Sequence, residues 1–147
     1  MHRLLATALA ATLALPAAAL DFERRQADGT VDVVVEQLQT VIATMGFNIF
    51  AVVPHSKGAE SVDMALNDAS LIIFGNPMGG TPLMQQDIHA GLVLPLKLLV
   101  YADENGQTWV AWEDVGDMFS GLNIDMSSDQ IENIAMTFEN LAAEAAK

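Results

Sequence analysis

The sequence contains no cysteine. This absence excludes disulfides, thiol nucleophiles, iron–sulfur clusters, cysteine zinc sites and covalent attachment of c-type haem. A metal site in this chain would therefore have to be built from His, Met, Asp or Glu side chains.

Basic residues are also scarce. The 147 residues include six Lys or Arg against nineteen Asp or Glu, which gives a formal net charge of −13. Binding to nucleic acid requires clustered Lys and Arg, so no nucleic-acid partner is expected. An anionic membrane surface is disfavoured for the same reason. The apolar content of 52% is enough to build a packed core, which argues against a disordered chain.

The N-terminus has the three parts of a secretory signal peptide. A basic start at Met1–Arg3 precedes an uncharged apolar stretch over 4–15, and Ala17–Ala19 supply the small residues of a cleavage site. The apolar stretch is shorter than the roughly 20 residues that span a bilayer, so cleavage is expected rather than anchoring. The sequence therefore predicts a signal peptide over 1–19 and a single domain over 20–147. We expect a periplasmic or secreted protein with no membrane span after cleavage.

Hydrophobic periodicity and turn residues predict the elements of this domain. Thr30 is expected to cap the first helix, and Ser127 with Gln130 to form a capping box for the last. Met45, Met64 and Met136 are expected to fill the core. The predicted elements of the first half are an edge strand at 20–27, a helix at 31–45, a strand at 47–53, a loop at 55–58, a short helix at 59–66 and a strand at 70–74. A loop at 75–80 and a helix from Thr81 to about Ala90 follow. The predicted elements of the last part are a hairpin with strands at 96–101 and 108–112, a short helix or loop at 114–122, and a C-terminal helix at about 127–145.

The order of these elements indicates the fold class. Strands and helices do not alternate strictly, and a hairpin with Asn105-Gly106 at its tip lies in the middle of the chain. This order favours an α+β domain with a mainly antiparallel sheet over a parallel doubly wound fold. Trp109 and Trp112 are three residues apart on a strand and should face opposite sides of the sheet. One is then expected in the core, and the other in a pocket or a dimer contact.

Three segments in a fixed order resemble a known family. GFNIFAVVPHSKGA, LIIFGNPMGGTPLMQ and LVLPLKLLVYADENGQTWVAWED are similar to the family catalogued as domain of unknown function 302, over roughly residues 30–115. The resemblance implies a TATA-box-binding-protein-like α+β fold, with a curved, mainly antiparallel sheet and helices packed on one face, and a homodimer. It implies no DNA binding, because a fold does not carry a function. The family has no established activity, so the function stays open.

The segment after the second predicted buried strand is the candidate site for a small ligand. Its glycines would let backbone N–H groups approach a ligand closely, and a helix starting at Thr81-Pro82 would direct free N–H groups towards an anion or carboxylate. A tight turn without any ligand explains the same residues. The predicted ligand-binding residues are His55, Asn76, Pro77, Thr81 and Met84.

Three functions compete. The leading hypothesis is a non-enzymatic, exported small-ligand-binding or interaction module of the cell envelope. The second is a copper or haem carrier using His55, Met84 or His89, since imidazole and thioether ligands suit copper. Against it, methionine on an amphipathic segment usually fills a core. The third is an enzyme with His55 as general base beside the Asn76-Pro77 loop, although the sequence shows neither a nucleophile elbow nor paired carboxylates.

Overall fold

Five antiparallel strands form an open sheet in the computed structural model, which describes residues 22–147. The strands are β1 (Phe22–Gln26), β2 (Asn48–Pro54), β3 (Ala69–Gly75), β4 (Leu96–Ala102) and β5 (Thr108–Glu113). Their spatial order is β1-β5-β4-β3-β2, so the first strand in sequence lies at one edge and the second at the other. The predicted α+β class with an antiparallel sheet is confirmed, as is the edge position of β1. The predicted signal peptide lies outside the described residues.

Two long helices cover one face of this sheet. α1 (Val31–Thr44) contacts β2, β3 and β4, while α6 (Asp129–Ala145) contacts β1, β5 and α1. The remaining helices are short and lie at the ends of strands. None of the helices within residues 22–147 is long and apolar enough to cross a membrane. The helices are α1 (Val31–Thr44), α2 (His55–Glu60), α3 (Pro77–Gln86), α4 (Ala90–Val93), α5 (Val115–Met118) and α6 (Asp129–Ala145).

The core lies between α1, α6 and the covered face of the sheet. Alternate strand residues such as Ile72 and Phe74 point into it and are fully buried. Phe138 of α6 packs edge-on against Phe74, with ring centroids 6.3 Å apart, and stacks on Trp112 at 5.9 Å. Trp112 is therefore a core residue. Trp109 lies on the opposite face under the Arg24 guanidinium, whose Cζ is 4.5 Å from the ring centroid, as the spacing of the two tryptophans predicted.

The first helix agrees with its sequence pattern. The Thr30 side chain accepts a hydrogen bond from the Val33 N–H, which caps the helix as expected. The buried positions recur every three or four residues, with one adjacent pair at Val34 and Val35: Val31, Val34, Val35, Leu38 and Ile42. Gly46 follows the helix with a φ of 82°, a left-handed conformation that favours glycine.

The expectation that three methionines fill the core is wrong. Met45, Met64 and Met136 are 38%, 66% and 53% exposed. Met45 lies beyond the last helical residue of α1, and Met64 follows α2 in a segment without regular structure. Met136 precedes the buried Phe138 by two helical positions, which turns it about 200° away from the core.

Two predicted boundaries also need correction. The predicted loop at 55–58 is α2, and the helix predicted at 59–66 ends at Glu60. Asp63, with a φ of 57°, reverses the chain in the left-handed region and so prevents a longer helix. At the last helix the N-cap is Ser128 and not Ser127. The Ser127 hydroxyl and N–H both donate to the Asp125 carboxylate, which places Ser127 in a turn before the helix.

Candidate functional site

A pocket of about 340 Å³, here named the α3 pocket, opens between α3, the segment after α4 and the neighbouring ends of β2, β3 and β4. Most of its lining side chains are apolar, two are polar, and none is charged. Ile134 of α6 closes one side. The lining residues are Phe47, Phe50, Gly75, Asn76, Pro77, Gly79, Gly80, Thr81, Met84, Gly91, Leu94, Pro95, Leu96 and Ile134.

Asn76 sets the position of α3, and it starts the helix earlier than expected. Its Oδ1 accepts a hydrogen bond of 2.9 Å from the Met78 N–H, so Asn76 is the N-cap and Pro77 the first helical residue. Its Nδ2 donates to the Gly46 carbonyl at 3.2 Å, which joins the start of α3 to the turn after α1. The predicted start at Thr81-Pro82 is wrong, because both residues lie inside α3.

The same geometry removes the anion site predicted at Thr81-Pro82. The first N–H groups of α3 already have acceptors, since Gly79 and Gly80 both donate to the Asn76 carbonyl at 3.0 Å and Met78 donates to the Asn76 side chain. Pro77 has no N–H to offer. An anion at this helix start would therefore have to compete with bonds that the fold already makes.

Glycines allow the pocket walls to approach one another. A Cβ atom at Gly75 would lie 3.3 Å from Phe50 Cε2, and one at Gly80 would lie 3.4 Å from Leu94 Cδ1. The distance at Gly75 is tight for carbon atoms, and the one at Gly80 is at the limit of ordinary contact, so a side chain larger than a methyl group at either position would have to displace its neighbour or enter the pocket. The width of the pocket thus depends on the absence of side chains at these two positions.

Four of the five predicted ligand-binding residues line this one pocket: Asn76, Pro77, Thr81 and Met84. His55 does not. It directly follows Pro54, which pairs with Ser70 at the start of β3, whereas the pocket lies at the other end of that strand. Five strand positions separate the two ends, or roughly 16 Å. The structure therefore does not bring His55 together with Met84 as copper ligands, nor with Asn76 as part of a catalytic site.

The second histidine candidate, His89, has a different partner. The ring Nδ1 of His89 lies 2.8 Å from the Asp87 carboxylate, and the His89 side chain is exposed. Within residues 22–147 no group of three or more His, Asp or Glu side chains is placed to hold a metal ion.

Comparison with known proteins identifies the family. The sequence pattern of the family described as "Domain of unknown function DUF302" matches residues 23–145. The chain belongs to this family. The match extends well beyond the 30–115 of the sequence resemblance and includes all of α6. The C-terminal helix that closes the pocket is thus part of the DUF302 domain.

Solved and curated relatives add fold and context. This DUF302 chain is similar in structure to an uncharacterized conserved DUF302 protein from Bacillus stearothermophilus, with a TM-score of 0.69 and 18% identity over 86% of this chain and 97% of that one. It is also 36% identical over 95 residues to proteins named "Fluoride-specific ion channel FluC 1" from Brucella suis and Brucella abortus. That match covers 65% of this chain and 37% and 35% of theirs, so the DUF302 chain spans about a third of their length.

Sequence reasoning missed the half of the pocket that lies outside α3. The sequence pattern predicts a strand at Phe47 and Phe50 and indicates no role for Leu94. Ile134 reaches the pocket from α6, far along the chain. Only the tertiary fold brings these residues together. The sequence of β2 carries no signal for this role, because the exposure of Phe50 (56%) comes with a strand irregularity between Ile49 and Ala51.

The far end of α3 is held by two polar side chains. The Asp87 carboxylate accepts a hydrogen bond of 3.0 Å from the Asn123 N–H, and the Gln86 side chain accepts one of 2.8 Å from the Asp125 N–H. The hydrogen bonds from Asn123 and from the backbone and ring of His89 lower the pKa of Asp87 from 3.8 to about 2. These bonds fasten the DUF302 helix that carries Thr81 and Met84 to the segment before α6.

Proposed function

We propose that this protein is a non-catalytic, exported small-molecule-binding module of the cell envelope, and that its ligand occupies the α3 pocket. The observation that carries the proposal is the pocket itself, with its volume of about 340 Å³ and its largely apolar lining. Sites for small molecules are typically concave, mostly apolar and supplied with a few polar groups, in a volume of roughly 300–1,000 Å³. The α3 pocket has each of these features.

The chemistry of the lining supports binding rather than catalysis. General acid–base catalysis needs a titratable side chain within reach of the substrate. The lining contains no His, Asp, Glu, Lys or Tyr, and its only hydroxyl belongs to Thr81. The site therefore offers surface and shape, but no group suited to moving a proton.

A blocked pocket tests the proposal. In Gly80→Leu the new side chain points towards Leu94 and must fill part of the pocket. Gly58→Leu is the matched control, because Gly58 is also helical and a Cβ there meets no atom within 4 Å, away from the pocket. Titration with N-phenyl-1-naphthylamine, an uncharged fluorophore, should saturate for the natural protein and Gly58→Leu. Gly80→Leu should weaken binding at least about tenfold.

The outcome of this titration is decisive once folding has been checked. Circular dichroism melting of each variant shows whether Gly80→Leu is folded at the temperature of the titration. Equal fluorophore affinity in a folded Gly80→Leu variant, or no saturable binding in the natural protein, would contradict the proposal. Native mass spectrometry of protein purified from its own cells would in addition weigh any ligand that remains bound.

A second candidate is an accessory role beside a membrane ion channel. The observation that favours it is the 36% identity to a third of proteins named fluoride-specific ion channels. The α3 pocket has no charged side chain for fluoride, so such a role would act through contact with a channel. Sodium fluoride should then change the melting temperature no more than the same concentration of sodium chloride. A rise specific to fluoride would instead favour direct anion binding.

The homodimer implied by the family resemblance is also proposed. The sheet face opposite α1 and α6 carries half-buried Leu71 and Leu99, together with Phe22, which is 58% exposed. These apolar residues form a patch that also includes Lys97 and Glu113, and an apolar patch with charged neighbours is suited to packing against a second copy. Sedimentation equilibrium should give the dimer mass at micromolar concentration. The monomer mass at every accessible concentration would contradict the dimer and would leave the binding proposal untouched.

A further inference from the structure

We infer that the ligand of the α3 pocket is an uncharged, apolar molecule with at most one hydrogen-bonding group, which lies at Thr81. This inference rests on the proposed binding role of the pocket and goes further, because it names the chemical class of the ligand. It is carried by the side chains that line the pocket and by the hydrogen bonds that those residues already make.

Charge is the first argument. None of the lining residues is ionisable, so a charged group on a ligand would lose its hydration without gaining a partner of opposite sign. Such an unpaired, desolvated charge is strongly unfavourable. For an anion, the net charge of −13 on the whole chain adds long-range repulsion.

The polar groups near the pocket are the second argument. Both ends of the Asn76 amide are used, Oδ1 by the Met78 N–H and Nδ2 by the Gly46 carbonyl. The Thr81 hydroxyl is the only polar side-chain group of the lining that has no hydrogen bond to another residue of 22–147. One ligand hydroxyl or carbonyl can pair with Thr81, whereas a second polar group would have to share the Asn76 amide, which already holds the start of α3.

Cations are excluded on separate grounds. A cation over an aromatic ring is attracted most by Trp and less by Phe, and sites for quaternary ammonium groups use several aromatic faces. The pocket has only two phenyl rings, those of Phe47 and Phe50, and no carboxylate. The Phe47 ring is in addition engaged with Phe74 in an edge-to-face contact at 5.6 Å.

A pair of fluorophores that differ by one charge tests the inference. N-phenyl-1-naphthylamine and 8-anilinonaphthalene-1-sulfonate share a ring skeleton, and only the second carries a sulfonate. Titrations at 0.15 M salt, where the Debye length is about 8 Å, screen the distant acidic surface and leave the local cost of the charge. We expect the uncharged fluorophore to bind at least about tenfold more tightly. Its binding should be lost in Gly80→Leu and retained in Gly58→Leu.

Each outcome separates the inference from the binding role on which it rests. Equal affinity for both fluorophores, with both lost in Gly80→Leu, would overturn the uncharged class and leave the binding role in place. Displacement of the bound uncharged fluorophore by benzyltrimethylammonium would show that the pocket accepts a cation, and would also overturn the uncharged class. No saturable binding of either fluorophore, or binding that a folded Gly80→Leu variant retains, would overturn the binding role and the inference together.

Discussion

At the scale of single residues, Asp87 joins two parts of the chain that the sequence keeps apart. Its carboxylate accepts the Asn123 N–H, 36 positions away, and the N–H of His89 close by. Because an ionised carboxylate accepts such bonds better than a protonated one, they lower the pKa of Asp87 to about 2. Asp87 is thus a positioning residue for the C-terminal end of α3.

This shifted pKa predicts how stability depends on pH. The pKa is about 2 in the folded protein and 3.8 without these bonds, so the stabilising contribution is complete above about pH 4 and is lost as the pH falls towards 2. Asp87→Asn should lower the melting temperature at pH 7, and its difference from the natural protein should shrink over that acidic range. Melting curves between pH 2 and 7 measure how this difference in melting temperature changes with pH.

The control is Glu36→Gln, which removes an equal charge from the exposed face of α1 and should show no such convergence. A constant Asp87→Asn difference at every pH would contradict the role of the carboxylate.

The residue types that follow Asn76 explain why the sequence pattern predicts the start of α3 too far along the chain. Gly79 and Gly80 are each about 1 kcal/mol less favourable than alanine inside a helix, and this composition indicated a loop. Three contacts override that propensity: the Asn76 cap, the Asn76 bond to Gly46, and the complete burial of Leu83. The cap itself was visible in the sequence, because Asn followed by Pro is a typical helix start. The bond to Gly46 was not, since it depends on the tertiary fold.

At the scale of the element, α1 offers the clearest test of the core. Leu38 is fully buried between α6 and the sheet, so Leu38→Ala should cost about 2–5 kcal/mol of the free energy of unfolding. Glu36→Ala on the exposed face should change it by no more than about 0.5 kcal/mol. Urea unfolding of both variants measures the difference. Gln39 is half-buried, although the apolar periodicity of α1 predicts an exposed position for it, and it is therefore a poorer control. Similar costs for Leu38→Ala and Glu36→Ala would mean that the helix does not pack as described.

Elements with a strong period or a specific turn could be predicted, and the others could not. The spacing of Val34, Leu38 and Ile42 fixed both α1 and its buried face, and the Asn105-Gly106 turn fixed the hairpin. The stretch over 55–66 has no period that distinguishes a helix from a loop. Its helix ends at Glu60, shortly before Asp63 takes a left-handed conformation that the residue type alone does not require.

At the scale of the whole molecule, the pocket is a product of topology. The antiparallel order brings the end of β3 beside the start of β4, where Phe74 pairs with Leu96. Asn76 and Leu94, which flank these strand ends in sequence, therefore meet at one edge of the fold. The sequence could indicate the α3 side of the site because its residues are contiguous. It could not indicate which distant residues would complete the pocket, since that depends on strand order and on the packing of α6.

The export proposal concerns the chain before this domain. The family match begins at residue 23, so the proposed signal peptide over 1–19 lies before the matched residues. N-terminal sequencing of protein from a periplasmic extract should begin at Leu20 or within about two residues of it. Signal peptidase requires small residues at the first and third positions of an Ala-x-Ala site, so Ala17→Leu or Ala19→Leu should block cleavage, while Ala18→Leu should leave it intact. Mature-length protein from all three variants would place the cleavage elsewhere, and envelope-bound protein that retains Met1 in the natural chain would rule out a cleaved leader.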